Sequence, residues 1–554
     1  MPVPQFVSAL KKLAGKPSAA QAEAVLAMLR AEPDLAKAAK PALMIDPQFA
    51  GAFRVMAPGE QYQLNNTVMP TPRAVHRPSN LAGLFAIVEE AALRFRALKA
   101  AGDGWGFANA AATPDWLVHC IGLDDVLPLE SELHRSGAIA PAELVRFQSG
   151  VSFDALNSYL WVFGRTVMQQ PGFGLLTVVG CASAGGHGSG LSYTGISGYF
   201  EAIELVTLDD ANRAKLLRIE PKNGLSDPAK WSARYPAPRF ELVQDDALFH
   251  AARCGQGNLG IVYAVTMRTQ PAFHLVEDRT LGTWSQAWPG VKAALVNPQV
   301  HSVHVWINPY KNDPTVVVTK LRRTTASGRQ GQRGFGVRFG GMNAFTEAVR
   351  LLISVSPEAI PFLMDKALES CVATGVRMPC FEALDFGAPN SIPVHAASLG
   401  FDASLVEQVF PALTKELRAW RASNQWVSSP IGMRWVAGSK DYLSPQYGRD
   451  TVMLEVPIMK GTPNAVDTLD RYARYMMDTW GARPHWGQQN PMGRARFEKV
   501  YQSSLDGFLP AYRTLNPNGF FDGPLARQLG LRELARLRGG GLARSGDALG
   551  LVRW

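Results

Sequence analysis

Cysteine is scarce in this sequence, and its spacing argues against two common uses of the residue. Only five cysteines occur among 554 residues. No two of them are spaced as Cys-x-x-Cys, the positions being Cys120, Cys181, Cys254, Cys371 and Cys380. An odd number of widely separated cysteines favours neither a disulfide framework nor a zinc site. We therefore expect free thiols and no bound metal.

The sequence also lacks a long apolar run and a concentrated basic segment. The sequence contains no stretch of about 18 apolar residues, which is the length needed to span a bilayer. Lysines interrupt residues 1–16, where a signal peptide would need an apolar core. The formal net charge is +9, but lysine and arginine are scattered apart from residues 320–323 and the C-terminus. A diffuse positive field favours anionic ligands or cofactors and does not specify nucleic acid. The expectation is a cytoplasmic protein with a small-molecule substrate that binds neither nucleic acid nor membranes.

Glycine is abundant, with 51 residues, and it is concentrated in two segments. Residues 178–190 contain five glycines and one large polar side chain, His187. Residues 102–107 contain three more, directly after a strand predicted over 94–100. Glycine adopts positive φ and lets the backbone approach a ligand closely, and successive N–H groups can hold an anion. Both segments therefore predict backbone pressed against a flat or phosphorylated ligand.

A third glycine pattern, Gly255, Gly257 and Gly260, matches G-x-G-x-x-G but has the wrong surroundings for a dinucleotide fingerprint. That fingerprint follows a strand and opens a helix, whose N-terminus holds the phosphates. Here the pattern predicts a helix over 245–253 before the glycines and a strand from 261 after them. NAD(P) is therefore rejected at this site.

The remaining patterns predict alternating helices and strands. A helix is expected over 81–93, and a strand over 147–153 leads into a helix over 154–161. Another strand is expected over 199–208. A chain of this length exceeds one ordinary core, so two domains are expected.

Four segments, taken in order, resemble the FAD-binding domain of the vanillyl-alcohol oxidase, or p-cresol methylhydroxylase, superfamily. These are residues 102–107, 180–190, 199–208 and 248–267. Residues 442–452 and 483–487 resemble the substrate domain of sugar-1,4-lactone oxidases and alditol oxidases, with bacterial FAD-linked cholesterol oxidases as more distant relatives.

The resemblance implies an α+β fold in which a two-part FAD-binding domain of the p-cresol methylhydroxylase type is interrupted by an α/β substrate domain. The implied parts are an N-terminal helical extension (1–70), the FAD-binding domain (71–270), the substrate domain (271–505) and a C-terminal return to the FAD domain (506–554). The isoalloxazine ring is expected at the junction of the two domains.

The implied cofactor-binding residues lie in the three glycine segments. They are Gly102, Asp103, Gly104, Trp105, Gly106, Phe107, Gly180, Cys181, Ala182, Ser183, Gly185, Gly186, His187, Gly188, Ser189, Gly190, Gly257, Asn258, Gly260, Ile261 and Val262. Many relatives join a histidine of the first segment covalently to the flavin, but Trp105 stands at that place here. Cys181 is offset from the cysteine that forms a second link in other relatives. The expectation is non-covalent FAD.

The substrate side departs from its relatives in three ways. Where they carry Glu-x-Arg on a strand beneath the flavin, this chain has Gly432 and Arg434, and alternation places both on one face. Glu455, which falls where alditol oxidases have an active-site histidine, can offer Arg434 a carboxylate from the neighbouring strand. The lysine that follows His-Trp-Gly in those relatives is Gln488 here.

These residues predict oxidation of a CH–OH group by hydride transfer to flavin N5, with O2 as a possible acceptor. Arg434 would stabilise the alkoxide or the reduced flavin, His485 or Glu455 would act as base, and Trp435 and Gln488 would bind substrate. Two alternatives stay open. One is an oxidative cyclase or desaturase acting on an apolar natural product or sterol, marked by a pocket of Trp, Phe and Met. The other is a flavin-binding fold without catalysis.

Overall fold

The structure, a computed structural model, describes residues 71–235, 237–333, 353, 357–385 and 394–538. The extension expected over residues 1–70 lies outside the described residues. Within them the fold is α+β. The strands are β1 (Ala74–His76), β2 (Leu98–Ala101), β3 (Trp116–His119), β4 (Val126–Leu127), β5 (Leu144–Gln148), β6 (Arg165–Val167), β7 (Phe200–Leu208), β8 (Ala214–Glu220), β9 (Phe240–Gln244), β10 (Ile261–Pro271), β11 (His274–Thr283), β12 (Val300–Asn308), β13 (Thr315–Thr324), β14 (Ala373–Pro379), β15 (Val394–Asp402), β16 (Ile431–Val436), β17 (Thr451–Met459) and β18 (Arg483–Pro484).

Helices alternate with these strands through much of the chain. They are α1 (Leu81–Leu93), α2 (Phe153–Val162), α3 (Val178–Ser183), α4 (Pro228–Arg234), α5 (Asp246–Arg253), α6 (Trp284–Leu295), α7 (Ile360–Glu369), α8 (Cys380–Leu384), α9 (Val406–Trp420), α10 (Ala465–Trp480), α11 (Arg494–Val500), α12 (Gln502–Leu515), α13 (Pro524–Gln528) and α14 (Leu531–Leu537). None of the helices in the described ranges is long and apolar enough to cross a bilayer.

The strands form three sheets. A parallel three-stranded sheet has the order β1-β3-β2. A mostly antiparallel seven-stranded sheet has the order β4-β5-β10-β7-β8-β9, with β6 also pairing with β10. The third sheet has eight strands in the order β14-β11-β13-β12-β16-β17-β15-β18. The first two sheets use strands from the first half of the chain, and the third uses all strands from His274 onward.

Helices α6 and α10 pack on one face of the third sheet, and the site lies on the opposite face of its strands β16 and β17. Helix α6 packs on β12 and β13, and α10 packs on β15 and β17. Trp435, on the helix-covered face, stacks on Trp288 of α6 with ring centroids 6.3 Å apart. Residues that alternate with Trp435 along β16 therefore point away from these helices.

The C-terminal segment returns to the first half of the chain. Helix α12 packs on α5, and the Thr207 hydroxyl donates a hydrogen bond to the Leu515 carbonyl at 3.1 Å. The Leu98 N–H donates to the Phe520 carbonyl at 2.9 Å, so the return reaches the strand that precedes the first glycine segment.

Most predicted elements are confirmed, with three shifts of boundary. Helix α1, strand β7 and helix α5 match their predictions within a residue or two, and the third glycine pattern does follow a helix and open a strand. The strand predicted over 94–100 begins only at Leu98, because Phe95 turns the chain with φ 54°. The strand expected over 147–153 ends at Gln148.

The third shift concerns the glycine segment at 178–190, whose first six residues form helix α3. Only residues 184–190 form an irregular loop. The prediction of a single loop is therefore wrong for the first half of this segment, where Val178, Val179, Cys181 and Ala182 are buried.

Candidate active site

A cavity of about 610 Å³ lies between the glycine segments and the face of the third sheet opposite α6 and α10. Its volume falls within the range of about 300–1,000 Å³ that small-molecule and cofactor sites occupy. Residues from all three predicted glycine segments line it, together with Arg434, Glu455, His485 and Gln488. The structure therefore brings residues of the predicted cofactor segments and the catalytic candidates to one place.

The first glycine segment lines the cavity along its whole length, from Gly102 to Phe107. A Cβ at Gly102 would lie 2.2 Å from the Thr177 hydroxyl oxygen, so glycine is required there by packing. Gly104 has φ 78°, which non-glycine residues rarely adopt. The Phe107 N–H donates to the Gly487 carbonyl at 2.7 Å, which joins this segment to the substrate side.

Trp105, which stands where the resemblance implies a linking histidine, also lines the cavity. Its indole N–H donates to an Asp103 carboxylate oxygen at 2.9 Å. Its ring meets Phe173 edge-on with centroids 4.8 Å apart. The indole is thus held in the cavity wall by a polar and an aromatic contact.

The second segment contributes fewer lining residues than its glycine content predicts. Gly180, Cys181, Ser183 and His187 line the cavity, as does Ala184, but the other predicted members do not. Those outside it are Ala182, Gly185, Gly186, Gly188, Ser189 and Gly190. The interpretation that these residues press on a ligand needs correction.

Packing within the protein accounts for three of those glycines. A Cβ at Gly186 would lie 2.1 Å from Cys181 Sγ, and one at Gly188 would lie 2.3 Å from the Gln169 side chain. Gly190 has φ 128°, and its Cβ would lie 2.7 Å from the His301 carbonyl oxygen. Side chains are excluded here by neighbouring protein atoms.

The end of the second segment is a joint between the two halves of the molecule. The Ser189 hydroxyl donates to the Val303 carbonyl of β12 at 2.6 Å. The Gly190 N–H donates to the Trp435 carbonyl of β16 at 2.6 Å. The glycine loop is therefore fixed to the sheet that carries the catalytic candidates.

Only some of the predicted cofactor residues in the third glycine segment line the cavity. Gly257, Gly260 and Val262 line the cavity, whereas Asn258 and Ile261 do not. Ile261 is buried in the apolar core, and Asn258 accepts a hydrogen bond from Lys99. The predicted contact of these two side chains with a cofactor needs correction, because protein atoms surround them.

Lys99 is a structural residue of the site that the sequence analysis missed. Its buried ammonium donates to the Gln256 carbonyl at 2.8 Å and to Asn258 Oδ1 at 2.6 Å. Burial lowers the pKa of Lys99 to about 7, and the Asp522 carboxylate opposes that shift. A lysine between apolar residues of a short strand could have signalled it, because a buried charge needs partners.

The floor of the cavity is a row of residues directly opposite one another across four strands. Trp306 pairs with Gly432, Gly432 with Glu455, and Glu455 with Ser398, and all four line the cavity. Arg434 lies two residues along β16 on the same face, as alternation predicts. Trp306 and Ser398 were not predicted, since pairing across strands is invisible to spacing along the chain.

Glu455 occupies the space beside Arg434. A Cβ at Gly432 would lie 3.8 Å from Glu455 Cβ, so glycine at 432 gives room to this carboxylate. Its Oε2 lies 3.9 Å from Arg434 Nη2, and its Oε1 accepts a hydrogen bond from Gln488 Nε2 at 2.7 Å. Within the described residues Oε2 accepts no hydrogen bond.

Trp435 does not reach the cavity, so its prediction as a substrate-binding residue needs correction. It is 1% exposed and points to the opposite face of β16 from Arg434. Strand alternation explains the difference, because neighbouring residues face opposite sides of a sheet.

His485 and His187 face each other across the junction of the two halves, with ring centroids 5.9 Å apart. His485 Nδ1 accepts a hydrogen bond from the Gly487 N–H at 3.1 Å. Burial lowers the pKa of His485 to about 4, although the Glu455 carboxylate opposes the shift. His485 is therefore neutral near pH 7, and its proton lies on Nε2 because Nδ1 is the acceptor.

Comparisons with known proteins agree with this arrangement. Residues 265–529 match the family model described as D-arabinono-1,4-lactone oxidase. An L-gulono-1,4-lactone dehydrogenase of Mycobacterium tuberculosis is 23% identical over 84% of this chain and 96% of its own. An alditol oxidase of a Streptomyces species is 24% identical over 83% of this chain and 96% of its own. The chain is an FAD-linked oxidoreductase.

Solved structures show the fold of this oxidoreductase independently. A solvent-stable cholesterol oxidase superposes with a TM-score of 0.69 over 86% of this chain and 99% of its own, at 14% identity. The cholesterol oxidase of Brevibacterium sterolicum gives 0.68 over 87% and 98%, at 13% identity. At such identity the likeness establishes the fold alone.

The glycines of this FAD-linked oxidoreductase fit a flat, extended cofactor. A Cβ at Gly106 would meet only the Gly487 carbonyl oxygen, 3.6 Å away, and its φ is not positive. Neither packing nor conformation therefore requires glycine at this position, and a side chain there would occupy cavity space. Gly180 and Gly257 border the same space, so FAD would be held largely by backbone.

Proposed function

We propose that this chain oxidises a CH–OH group of a small polar substrate with non-covalently bound FAD. The observation that carries the proposal is the cavity floor, where Glu455 lies beside Arg434 and His485 and its Oε2 accepts no hydrogen bond from any residue that the structure describes. In this assignment residues 71–270 and 506–554 hold the cofactor and residues 271–505 hold the substrate.

Bound FAD would supply the hydride acceptor, as flavins do in alcohol oxidation. The protein must then remove the hydroxyl proton and stabilise charge near the reacting carbon. Glu455 is the proposed base, because a carboxylate accepts protons and its Oε2 is available. Gln488 holds Oε1 at 2.7 Å and so fixes the direction in which Oε2 points.

His485 is proposed as a hydrogen-bond donor and not as the base. Its Nδ1 is engaged by the Gly487 N–H, so only the protonated Nε2 is left to meet a ligand. The Nε2–H of His485 can donate a hydrogen bond to the substrate oxygen while Glu455 removes the proton of the substrate hydroxyl. This narrows the two base candidates to Glu455.

Arg434 is proposed to stabilise negative charge as it develops. A guanidinium stays charged throughout the working pH range, and Arg434 lines the cavity on the same sheet face as Glu455. Arg434 Nη2 lies 3.9 Å from Glu455 Oε2, which is an ion pair too long for a hydrogen bond.

A sugar lactone or polyol is the proposed substrate class. The substrate side of the lining combines Ser398, Ser429 and Gln488 with Trp306 and two prolines, and no methionine lines the cavity among the described residues. A sterol-like or other apolar substrate predicts Trp, Phe and Met there. The names of the relatives, which describe lactone and alditol enzymes, support the polar class.

Non-covalent attachment is proposed from the side chains at the two linking positions. Trp105 cannot form a histidyl bond. Burial raises the pKa of the Cys181 thiol to about 12, which suppresses the thiolate needed for reaction. Denaturation should therefore release the flavin into solution.

The experiment is anaerobic mixing of the purified holoenzyme with sugar-1,4-lactones, alditols and a sterol while the flavin absorbance is followed. A lactone or alditol should bleach the flavin, and the sterol should not. Bleaching by the sterol alone would favour the apolar alternative, and bleaching by none would contradict the proposal. O2 is proposed as the acceptor of electrons from the reduced flavin. Formation of hydrogen peroxide when air is readmitted to the reduced enzyme tests this.

A further inference from the structure

His187 is a buried imidazole on the cofactor side of the cavity that the proposed reaction does not use. It is 7% exposed and lines the cavity. Its ring lies edge-on to His485, at 5.9 Å between centroids. Burial, followed by the nearby His485 and Arg434, lowers the pKa of His187 to about 3, so the ring is neutral at any working pH.

A backbone contact fixes which nitrogen of His187 carries the proton. Nδ1 lies 2.9 Å from the Gly188 carbonyl oxygen. A carbonyl only accepts hydrogen bonds, so Nδ1 must be the donor and Nε2 of the neutral ring has a bare lone pair. Within the described residues Nε2 has no hydrogen-bond partner, yet it is not sealed away from the cavity.

The facing histidine has the opposite arrangement. Because His485 Nδ1 accepts from the Gly487 N–H, its Nε2 is a donor. The cofactor side of this junction therefore offers an acceptor and the substrate side offers a donor. Two rings that look alike in sequence have complementary roles.

The position of His187 identifies the part of FAD that it can meet. The reacting ring of the cofactor must border the substrate, and His187 belongs to the cofactor side where it approaches Arg434 and His485. The oxidised isoalloxazine ring has a single N–H, at N3, while its other ring heteroatoms accept hydrogen bonds. The acceptor His187 Nε2 therefore has one possible donor in the oxidised isoalloxazine ring, the N3–H group.

We propose that His187 Nε2 accepts a hydrogen bond from the N3–H of the flavin. This hydrogen bond rests on the proposed function only because that function places the isoalloxazine ring of FAD next to the substrate residues of the cavity. It makes His187 a cofactor-binding residue through its side chain, and it leaves His485 free for the substrate oxygen.

The first test compares binding of FAD and of FAD methylated at N3 to the flavin-free protein. Wild type should bind the methylated cofactor about tenfold more weakly or worse, since one hydrogen bond is lost and an acceptor is left unpaired. H187L should bind both with equal affinity. H485L is the matched control, and it should keep the wild-type preference because its Nε2 is a donor.

A second measurement separates hydrogen bonding from steric fit to the methyl group. Absorbance titration of the holoenzyme reports ionisation of the flavin N3–H, which a hydrogen bond to a neutral acceptor opposes. Ionisation should need a higher pH in wild type than in H187L, and H187Q, whose amide oxygen also accepts, should restore part of the difference.

Three results would overturn the proposal. They are equal affinity of wild type for both cofactors, an N3–H ionisation unchanged in H187L, and a preference lost in H485L but kept in H187L. None of these depends on a substrate, so failure to find a substrate would count only against the proposed function. A wild-type protein that bound no FAD would contradict both.

Discussion

The two walls of the cavity are built from different chemistry. The cofactor wall consists of glycines, backbone N–H groups and two aromatic side chains over residues 102–107, and the glycines of 180–190 pack partly against the protein. The substrate wall is a sheet face with Arg434 and Glu455 on adjacent strands, and Gln488 joins it from the loop after β18. Under the proposed function, one wall would bind FAD by shape while the other would act on the substrate through charge.

The largest effect that tests this division is expected from Glu455→Gln. It removes the proposed base but keeps the side-chain size and an amide that can contact Gln488. Flavin reduction by substrate should slow about 10²–10⁴-fold, while the amount of bound FAD stays at the wild-type level. Gln488→Ala is the control, with a smaller expected loss, because it removes a hydrogen bond to Glu455 but leaves the carboxylate in place.

If Glu455→Gln instead released FAD, the charged wall would also hold the cofactor and the comparison would fail. Rapid-mixing kinetics and the ratio of flavin to protein absorbance give both quantities from one sample.

A pair of glycine variants tests whether the two glycine segments of the cofactor wall have different roles, one in protein packing and one in FAD binding. Gly186→Ala places a Cβ 2.1 Å from Cys181 Sγ and 2.7 Å from the Cys181 carbonyl, so the fold should lose about 1–3 kcal/mol through overpacking. Gly106→Ala meets only one oxygen at 3.6 Å, so its free energy of unfolding should change little while FAD binding weakens.

Denaturant unfolding and FAD titration of the two variants separate these outcomes. Equal loss of stability in both would show that the two glycine segments are not used differently.

Acid pH tests the burial of three neutral histidines, of which only His187 lines the cavity. Burial lowers the pKa of His119, His187 and His301 to about 3 each. The unfolded chain titrates near 6.5 and so binds more protons below that pH, which means that stability is complete above 6.5 and is lost as pH falls toward 3. At pH 5.5 each histidine should cost about 1.4 kcal/mol.

The melting temperature should therefore drop between pH 7.5 and pH 5.5. Replacing His301 by Gln should make the drop smaller, and a melting temperature that did not change with pH would contradict neutral burial.

The sequence predicted the cofactor side better than the substrate side, for a physical reason. Glycine segments and the strand–helix order are local, so the resemblance to FAD-linked oxidases and most elements of residues 71–270 could be predicted. The inverted surroundings of Gly255 to Gly260 were predicted and confirmed. Local patterns could not show which glycines are required by packing, since Gln169 and His301 lie elsewhere in the chain.

The composition of the substrate wall depends on which residues lie opposite each other on neighbouring strands, and spacing along the chain does not reveal this. Alternation along β16 correctly placed Gly432 and Arg434 on one face, and the same rule excludes Trp435 from it. That Glu455 lies opposite Gly432, with Ser398 beyond it, depends on the register of three strands. The tautomers of His187 and His485 depend on single backbone contacts, which no sequence pattern reveals.

The division of labour between the walls is tested most directly by Arg434→Met, with FAD content and substrate-dependent flavin reduction measured on the same preparation. FAD should stay bound near the wild-type ratio, because the glycine wall holds it, and reduction should slow about 10²–10³-fold. Arg434→Lys should recover part of the rate. Reduction of the Met variant at the wild-type rate, or loss of its FAD, would contradict the account.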